Sequence, residues 1–363
     1  MRVVQVNYAF DSGLPSASAL LDRYTTLTGW AGAIARAGAE VLTVQQFRTS
    51  SNVTRDRLAY TLGTYNEIAE ATLAFRPDIV HVNGLAFPRR TWVLRRWLPA
   101  VPIVVQDHAS RFTTRNASRI WRPIRRQLLS VVDAFLFSTA EHAAACRDAG
   151  LIRAEQRVYD VMEASTTLRP LARDEARSAS GVTGDPAVVW IGRLNANKDP
   201  LTVLDGFGRF AARRPGATLT MIFHDGDLVH AVRACVAASS VLRDRVRLAG
   251  DTPHDRIAAF LSAADLFVAG SHHEGSGYAL MEAIACGATP VVTDIPAFRA
   301  LTGHVGQLWT PGDADACARA LEAAQLDRAR VVAHFERNLT WDCVGKKAVG
   351  IYEDVVMMKR ADG

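Results

Sequence analysis

Short apolar runs alternate with longer segments of helical periodicity along the first half of the chain. Uninterrupted apolar runs are typical of strands buried on both faces of a parallel sheet, and the segments between them are typical of crossover helices. The first such helix has an apolar face of Leu27, Trp30, Ala31 and Ile34 and ends near Gly38, a suitable C-cap. The pattern predicts one doubly wound α/β unit. Its predicted strands are Val3–Val6, Val41–Val44, Ile79–Val82, Ile103–Val105 and Ala134–Phe137.

The same alternation restarts in the second half of the chain and predicts a second Rossmann-like sheet. Between the two halves, residues 171–186 carry charges, serines and glycines but little apolar content, which is typical of a linker. The length, 363 residues, exceeds the usual size of a single core. We therefore expect two domains, residues 1–170 and 187–340. The predicted strands of the second are Ala187–Ile191, Leu219–Phe223, Val246–Leu248, Leu266–Val268 and Pro290–Val292.

The composition, with 49% hydrophobic residues, is that of a folded globular protein. No apolar run is long enough to cross a bilayer, and residues 1–7 resemble a strand rather than the apolar core of a signal peptide. Five cysteines are scattered without metal spacing, so we expect reduced thiols that serve as packing residues. These features favour a cytoplasmic protein. The cysteines are Cys146, Cys235, Cys286, Cys317 and Cys343.

The modest basic excess, a net charge of +5, is concentrated between residues 85 and 130. Ten arginines there accompany a single acid, Asp107, and tryptophans are interleaved with them. Such a stretch suits an anionic membrane surface, but also a solvated helical face or arginines that bind acceptor phosphates. Nucleic acid is not an expected partner, because no recognised binding motif accompanies the charge. The arginines are Arg89, Arg90, Arg95, Arg96, Arg111, Arg115, Arg119, Arg122, Arg125 and Arg126, and the aromatic residues are Trp92, Trp97, Phe112 and Trp121.

Two glutamates, Glu274 and Glu282, frame a glycine-rich turn between two apolar runs. If Gly277 opens a helix, with Ser276 as its cap, bare backbone N–H groups at its start suit a phosphate oxygen. A carboxylate before the turn can hold sugar hydroxyls, and one inside the helix can reach a ribose. Alternatively, Glu274 complements the helix dipole, and Glu282 is a helix residue whose apolar neighbours make a partner necessary. The predicted turn residues are Gly275, Ser276, Gly277, Tyr278 and Ala279.

Two cations follow the predicted strand Ala187–Ile191. Gly192-Arg193 comes directly after the strand, where ligands of open α/β sheets bind, and Lys198 follows a few residues on. An arginine fork matches a diphosphate, and a lysine adds a compact charge that stabilises a departing nucleoside diphosphate. The alternative is two surface cations near a helix start, where they oppose the helix dipole.

Two other motifs suggest metal binding, but we expect no metal. Asp225-Gly-Asp227 offers too few oxygen ligands for a hard cation, and the consecutive residues His272 and His273 lack a third, spaced ligand for zinc. His81, inside a predicted strand, is interpreted as a buried, hydrogen-bonded histidine.

These segments together resemble glycosyltransferase family 4, a group of retaining GT-B sugar transferases. The flanking blocks Val246–Gly250, Ala263–Ser271 and Ala283–Gly287 extend the resemblance over most of the chain. It implies an α/β fold of the GT-B class, with two Rossmann-like doubly wound domains facing across a cleft. Residues 1–170 would bind the acceptor and residues 187–340 the nucleotide sugar, while a C-terminal helix over 341–363 packs back on the first domain.

The resemblance also implies roles for individual residues. Glu274 would hold hydroxyls of the transferred sugar, and Glu282 the ribose. Arg193 and Lys198 would contact the donor phosphates. His108 follows a first-domain strand, and a histidine at that position in the family orients the transferred sugar. Backbone at Gly13, Gly192 and Gly250 would approach the donor, the first of these next to a phosphate or the acceptor.

The function implied is retaining transfer of a hexose-type sugar from a nucleoside diphosphate sugar to a hydroxyl acceptor: a glycan, a lipid-linked molecule or a small molecule. No cofactor or metal is implied. The sequence departs from the family's pattern at Met162–Ser165 and Ile295–Phe298, and only Gly13 remains of the glycine pair in the first loop. The identities of the transferred sugar and of the acceptor therefore stay open. Alternatives are a non-catalytic nucleotide-sugar binding protein and a same-fold sugar-nucleotide epimerase or phosphorylase.

Overall fold

The computed structural model describes residues 1–107 and 121–361. His108, one of the predicted site residues, lies outside the described residues. The chain forms two compact units, the first of residues 1–165 with 341–363 and the second of residues 166–340. Each unit is built around one mostly parallel sheet.

The first unit has an eight-stranded sheet in the order β3-β4-β2-β1-β5-β6-β7-β8. All neighbours pair in parallel except β3 and β4, which form an antiparallel edge. The strand order reverses between β1 and β5, so this is the sheet's topological switch point. The strands are β1 (Arg2–Asn7), β2 (Glu40–Gln46), β3 (Ser51–Arg55), β4 (Leu58–Gly63), β5 (Ile79–Asn83), β6 (Ile103–Gln106), β7 (Ala134–Phe137) and β8 (Arg157–Asp160).

Helices cover this sheet because their apolar stripes meet its buried residues. In α2 the predicted face is confirmed, since Leu27, Trp30, Ala31 and Ile34 are all buried. Helix α3 begins with a reciprocal capping box between Thr64 and Glu67. The helices before residue 165 are α1 (Ala17–Arg23), α2 (Thr25–Arg36), α3 (Tyr65–Phe75), α4 (Pro88–Trp97), α5 (Trp121–Leu129) and α6 (Ala140–Asp148).

A C-terminal helix, Trp341–Ala361, packs on α2 within the first unit. Glycines permit the close approach of the two helices. A Cβ atom on Gly345 would lie 2.2 Å from the carbonyl oxygen of Ala33. One on Gly29 would lie 2.3 Å from the indole of Trp341. Larger residues at either position would therefore separate the helices.

The same helix is tied to the sheet by a buried hydrogen-bond chain. The hydroxyl of Tyr352 lies 2.6 Å from His81 Nδ1 and accepts a hydrogen bond from Trp30 Nε1 at 3.1 Å. All three side chains are buried. The interpretation of His81 as a buried, hydrogen-bonded histidine is thereby confirmed.

The second unit has a six-stranded sheet, parallel throughout, in the order β11-β10-β9-β12-β13-β14. The order reverses between β9 and β12. Nearly every residue of the central strands β9, β12 and β13 is buried, as expected of parallel strands covered on both faces, which accounts for their uninterrupted apolar runs. The strands are β9 (Ala187–Ile191), β10 (Thr218–Ile222), β11 (Val246–Gly250), β12 (Leu266–Ala269), β13 (Thr289–Thr293) and β14 (Gln307–Trp309).

The helices of the second unit supply the rest of its core. Asp199 caps the longest of them, α8, and accepts a hydrogen bond from the Thr202 amide at 3.3 Å. The helices are α7 (Arg173–Ser180), α8 (Pro200–Arg213), α9 (Val229–Ala238), α10 (Ser240–Arg245), α11 (His254–Ala263), α12 (Tyr278–Ala285), α13 (Pro296–Thr302), α14 (Ala314–Ala323) and α15 (Arg328–Asn338).

Residues 171–186 do not form the predicted linker. The whole of α7 lies in this segment, and the segment belongs to the second unit, which starts at Thr166. Its charges are used internally, because Arg173 and Arg177 pair with the buried carboxylate of Asp265 at 2.5 and 3.7 Å. Composition alone suggested a linker because ion pairs, rather than apolar side chains, hold much of this helix in place.

All five cysteines are free thiols. Three of them are buried, and burial raises the pKa of the Cys146 and Cys317 thiols to about 12 and that of Cys286 to about 11. Cys146 and Cys317 belong to the hydrophobic cores of the first and second unit. These two confirm the interpretation as packing residues.

Candidate functional site

The predicted donor residues of the second unit come together at the carboxyl edge of its sheet. One loop, residues 192–199, follows β9, and another, residues 270–277, follows β12. These strands are hydrogen-bonded neighbours, and the strand order reverses between them. Ligands of open α/β sheets bind at such a switch point, beyond the carboxyl ends of the strands.

The loop after β9 is hydrogen-bonded to the segment that follows β10. The Leu194 amide donates to the carbonyl of Asp225 at 2.9 Å. A Cβ atom on Gly226 would lie 2.1 Å from the Leu194 carbonyl oxygen, so only glycine fits there. The Asp225-Gly-Asp227 motif therefore has a structural role in shaping this loop. Within residues 1–107 and 121–361, no three His, Cys, Asp or Glu side chains are grouped to hold a metal ion.

The two loops are joined by hydrogen bonds that sequence reasoning missed. The amide of His272 donates to the Asn197 carbonyl at 2.8 Å, and Asn197 Nδ2 donates to the His273 carbonyl at 3.0 Å. The ring of His272 contacts the Asp199 carboxylate at 3.1 Å. These contacts fix one loop relative to the other. No sequence pattern marks Asn197, because its partners lie more than 70 positions away.

Lys198 and Glu274, both predicted as site residues, form an ion pair between the two loops. Their side chains are only 26% and 13% exposed. Arg193, near the start of the same loop as Lys198, is exposed, and its guanidinium makes no ion pair with the described residues. The carboxyl edge of the second sheet therefore carries Lys198, which is paired with Glu274, and Arg193, which has no ion-pair partner among the described residues.

The glycine-rich turn delivers backbone donors to the same edge. Helix α12 begins at Tyr278, and its N-cap is Gly277, whose φ of +62° favours glycine. The predicted cap, Ser276, is therefore wrong: the chain turns one residue later, in a left-handed conformation that serine adopts poorly. Gly270 is equally constrained, since a Cβ atom there would lie 2.8 Å from Val203. Like those of any helix start, the first amides of α12 have no carbonyl partner within the helix itself, and an anion suits such a position.

Glu282 lies inside α12 and has the partner that its apolar surroundings require. His254 Nε2, at the start of α11, lies 2.7 Å from its carboxylate. Burial raises the pKa of Glu282, and the hydrogen bond from His254 opposes that rise. The side chain of Glu282 is 12% exposed and that of His254 72%, so a nearly buried carboxylate is paired with an imidazole that faces solvent. Sequence reasoning predicted the need for a partner but missed His254.

The remaining predicted residues are more dispersed. Gly192 directly follows β9, and its amide donates to the Ile222 carbonyl at 3.1 Å. Gly250 ends β11 with a φ of +70°, on the carboxyl edge but two strands from β9. Gly13 belongs to the first unit, where its amide donates to Asp11 at 2.8 Å in the loop after β1.

Another residue that the sequence did not reveal holds the Gly13 loop. The guanidinium of Arg48 donates to the carbonyls of Ser12, Leu14 and Pro15 at 3.0, 2.8 and 3.1 Å. An arginine that donates to three loop carbonyls fixes the shape of the loop that contains Gly13.

Residues 185–327 match the family model described as Glycosyl transferases group 1. Over 236 residues, 63% of this chain, the protein is 30% identical to a GDP-mannose:cellobiosyl-diphosphopolyprenol alpha-mannosyltransferase of Xanthomonas campestris. Over 273 residues, 70% of the chain, it is 29% identical to a 2-deoxystreptamine N-acetyl-D-glucosaminyltransferase of Streptomyces fradiae. The matches span 59% and 64% of these relatives' own lengths, which is less than two thirds.

Solved structures of low sequence identity share the fold over the whole chain. A sucrose-phosphate synthase from Thermosynechococcus elongatus has a TM-score of 0.69 at 17% identity and covers 99% of this chain and 100% of its own. The Anabaena protein HepE, solved in complex with UDP and glucose, has a TM-score of 0.62 at 16% identity, with 99% and 98% covered. The predicted fold class is confirmed. The match places residues 185–327 with the group 1 glycosyltransferases, and the two units have the Rossmann-like domains of the GT-B fold class.

Proposed function

We propose that the protein is a retaining, metal-independent glycosyltransferase that moves a hexose-type sugar from a nucleoside diphosphate sugar to a hydroxyl acceptor. The observation that carries the proposal is the meeting of Lys198 and Glu274 at the switch point of the second unit, with Arg193 exposed on the same loop. A cation pair with helix amides suits a diphosphate, and a neighbouring carboxylate suits sugar hydroxyls.

The ion pair suggests how the donor is received. Without donor, Lys198 and Glu274 neutralise each other. A diphosphate that reaches this edge competes for the ammonium of Lys198 and gains the fork of Arg193 and the first amides of α12. Glu274 is then released to accept hydrogen bonds from the hydroxyls of the sugar. The pair thus keeps both groups in place before the donor arrives.

The proposed reaction uses this placement. The bond between the anomeric carbon and the phosphate oxygen breaks, and the acceptor oxygen bonds to the same face of that carbon. The acceptor's proton passes to the departing phosphate oxygen, so no protein nucleophile is required. Negative charge grows on the diphosphate, where Arg193 and Lys198 stabilise it in place of a metal. His108 keeps its predicted role of orienting the sugar.

The relatives indicate which substrates to test first. The names of two of them include GDP-mannose as donor, a diphosphopolyprenol-linked cellobiose as acceptor, and 2-deoxystreptamine as acceptor. HepE was solved with UDP and glucose. We propose a purine or pyrimidine nucleoside diphosphate sugar as donor and a sugar, cyclitol or lipid-linked hydroxyl as acceptor.

Two measurements test the proposal. The first is a thermal-shift screen of UDP, GDP and their sugars, in which a bound donor raises Tm. The second is product analysis with the donor that binds, alone and with acceptors. Release of nucleoside diphosphate only with an acceptor, and an unchanged anomeric configuration in the product, support transfer with retention. A new sugar nucleotide from donor alone indicates an epimerase, and binding without any turnover indicates a non-catalytic protein.

We further propose that the first unit contacts anionic membranes through α4 and α5, which pack together. Two arginines of the basic stretch are internal: Arg95 pairs with Asp133, and Arg90 lies among aromatic rings. The outer face of these helices nevertheless exposes Trp97, Trp121 and Ile124 by 41%, 59% and 45%. Exposed aromatic and basic side chains together suit a charged lipid surface.

Vesicle co-sedimentation tests this contact. Binding to phosphatidylglycerol vesicles, but not to phosphatidylcholine vesicles, should fall when Trp121 and Ile124 are both changed to serine. Leu326→Ser, at an equally exposed apolar residue of the second unit, is the matched control. Equal binding by all variants would reject the membrane role. No helix within residues 1–107 and 121–361 is long and apolar enough to span a bilayer.

A further inference from the structure

The carboxylate of Glu282 is only half satisfied by the protein. Its Oε1 lies 2.7 Å from His254 Nε2, whereas its Oε2 makes no hydrogen bond with the described residues. Oε2 is not among the buried polar atoms that lack a partner, so it is still reachable from solvent. The carboxylate therefore has one oxygen held by an imidazole and one oxygen open to a ligand.

A second buried carboxylate of the same unit has no such open oxygen. Asp265, whose side chain is 5% exposed, pairs through Oδ1 with Arg173 and through Oδ2 with Arg177. Its Oδ2 also accepts a hydrogen bond from the Ala187 amide at 2.8 Å. Burial of a carboxylate is costly unless its oxygens are paired and hydrogen-bonded. The incomplete pairing of Glu282 is therefore typical of a group that binds a ligand.

The open oxygen belongs to the helix whose start suits a phosphate. Glu282 is five residues beyond the N-cap Gly277, which is about 7.5 Å along the axis of α12. His254 begins α11, which packs against α12 and follows the carboxyl end of β11. In a nucleoside diphosphate the ribose comes next to the phosphates, and its hydroxyls donate well to carboxylate oxygens. A diphosphate at the start of α12 would bring a ribose towards Glu282.

We propose that His254 is a positioning residue, which fixes the carboxylate of Glu282 for a ribose hydroxyl and so makes the site select ribonucleotides over deoxyribonucleotides. The inference rests on the proposed function, since it needs a nucleoside diphosphate in the second unit. A carboxylate only accepts, so His254 Nε2 carries the proton and donates to Oε1. This bond limits rotation of the Glu282 side chain and leaves Oε2 as the acceptor for the hydroxyl.

Selection follows because the held oxygen has one suitable partner. A ribose hydroxyl satisfies Oε2, while a deoxyribose leaves a desolvated acceptor without a hydrogen bond. Sites built to bind a hydroxyl reject analogues that lack it for this reason. Without the imidazole, the carboxylate of Glu282 can turn towards water and recover its hydration, so the missing hydroxyl costs less. His254 acts on the donor only through Glu282.

Two substitutions of His254 separate positioning from packing. His254→Ala removes the N–H donor and frees the Glu282 side chain. His254→Gln keeps a donor, because Nε2 of glutamine stands the same number of bonds from Cα as Nε2 of histidine. His230→Ala is the matched control, since His230 is an exposed residue of α9 that makes no hydrogen bond with the described residues.

Calorimetric titration of the full chain with UDP, GDP and their 2′-deoxy and 3′-deoxy forms gives the test. The parent, His230→Ala and His254→Gln should bind the preferred ribonucleotide at least about tenfold more tightly than the weaker of its two deoxy forms. His254→Ala should discriminate by less than about threefold. In turnover, His254→Ala should raise KM for the donor and leave kcat nearly unchanged, as expected when uniform binding is lost.

Four results would overturn the proposal. The parent does not discriminate; His254→Ala keeps the full preference; His254→Gln loses it as completely as His254→Ala; or His254→Ala binds the ribonucleotide more tightly, which would show that the imidazole competes with the donor. In each of these the nucleotide still binds, so the proposed function stands. If neither UDP nor GDP binds the parent, the proposed function is rejected, and this inference with it.

Discussion

The ammonium of Lys198 is ion-paired with the carboxylate of Glu274 across 76 positions of sequence. One residue belongs to the loop after β9 and the other to the loop after β12, so the pair joins the two strands at which the second sheet reverses its order. Neither side chain is freely exposed, and each limits the movement of the other. The pair thereby holds part of the proposed donor site in place.

Substitutions of Lys198 and of Glu274 should affect different parts of donor binding, the diphosphate in the first case and the sugar in the second. In Lys198→Met, we expect UDP and GDP to lose most of their effect on Tm, because the ammonium that meets the diphosphate is gone. In Glu274→Gln, the nucleoside diphosphate should still raise Tm, but the sugar nucleotide should give no additional shift. Both variants should lose about 100-fold or more in kcat/KM, the usual cost of removing one such electrostatic group.

Arg214→Met is the control for this comparison, because Arg214 also forms an ion pair, with Glu322 at 2.8 Å, but on an exposed surface at the end of α8. It should bind donor normally and lose little stability, as exposed pairs contribute about 0–1 kcal/mol. Near-normal turnover in either Lys198→Met or Glu274→Gln would contradict the assigned site.

Removing the partner of Glu282 should produce a pH-dependent loss of stability. Burial raises the pKa of Glu282 above its ordinary value of 4.5, and His254 opposes that rise, so His254→Ala should raise this pKa further. Below about pH 4 the carboxyl is protonated in both the folded and unfolded states, and the change costs little. As pH rises to 7 the folded state must hold a bare, buried carboxylate, and the loss should grow to about 1 kcal/mol.

Urea unfolding at pH 4 and pH 7 measures this difference. His230→Ala is a matched control, because His230 is an exposed helix residue that makes no hydrogen bond with the described residues. A loss for His254→Ala that is the same at both pH values would show that the contact acts through packing and not through the charge of Glu282.

Two glycines with similar positive φ angles should respond differently to substitution by alanine. Gly277→Ala and Gly250→Ala both place a side chain at positive φ, +62° and +70°, at a cost of about 1–2 kcal/mol. Only at position 277 does the new Cβ meet a neighbour, Leu301, at 2.8 Å, which adds about 1–3 kcal/mol. Urea unfolding should therefore show a clearly larger loss for Gly277→Ala, and donor binding should weaken with it. Equal losses would mean that the start of α12 adjusts freely.

The architecture was largely predictable because it follows apolar patterning. Strand β9 has the predicted bounds, Ala187–Ile191, and the central strands of both sheets lie within a residue or two of their predicted positions. Strands β3, β4, β8 and β14 were missed. The edge strands β3, β8 and β14 are short and mostly half-buried or exposed, and β4 is only half buried, so none of them leaves an apolar run. Helix α7 was missed because its charged residues pair internally.

The candidate site was predictable only where a motif marks it. Lys198 and Glu274 stand in recognisable segments, and their pairing follows from the strand order. Asn197 contacts the loop after β12, and His254 contacts Glu282. Both contacts join residues far apart in sequence, and no periodicity or spacing in the sequence indicates them. Such contacts depend on the packed fold, which is why local sequence reasoning did not find them.

The C-terminal helix offers the last prediction, because one hydroxyl links it to the first unit's sheet. Burial raises the pKa of Tyr352, so the phenol stays neutral and can donate to His81 Nδ1 while it accepts from Trp30 Nε1. Tyr352→Phe keeps the ring but deprives both partners of this bond, and it should lower the free energy of unfolding by about 1–3 kcal/mol. Tyr60→Phe is the control, since Tyr60 is buried in the same unit and its hydroxyl makes no hydrogen bond within the described residues. If urea unfolding shows the same small change for both variants, packing of the helix on α2 alone holds it in place, and the buried hydrogen-bond chain adds nothing to stability.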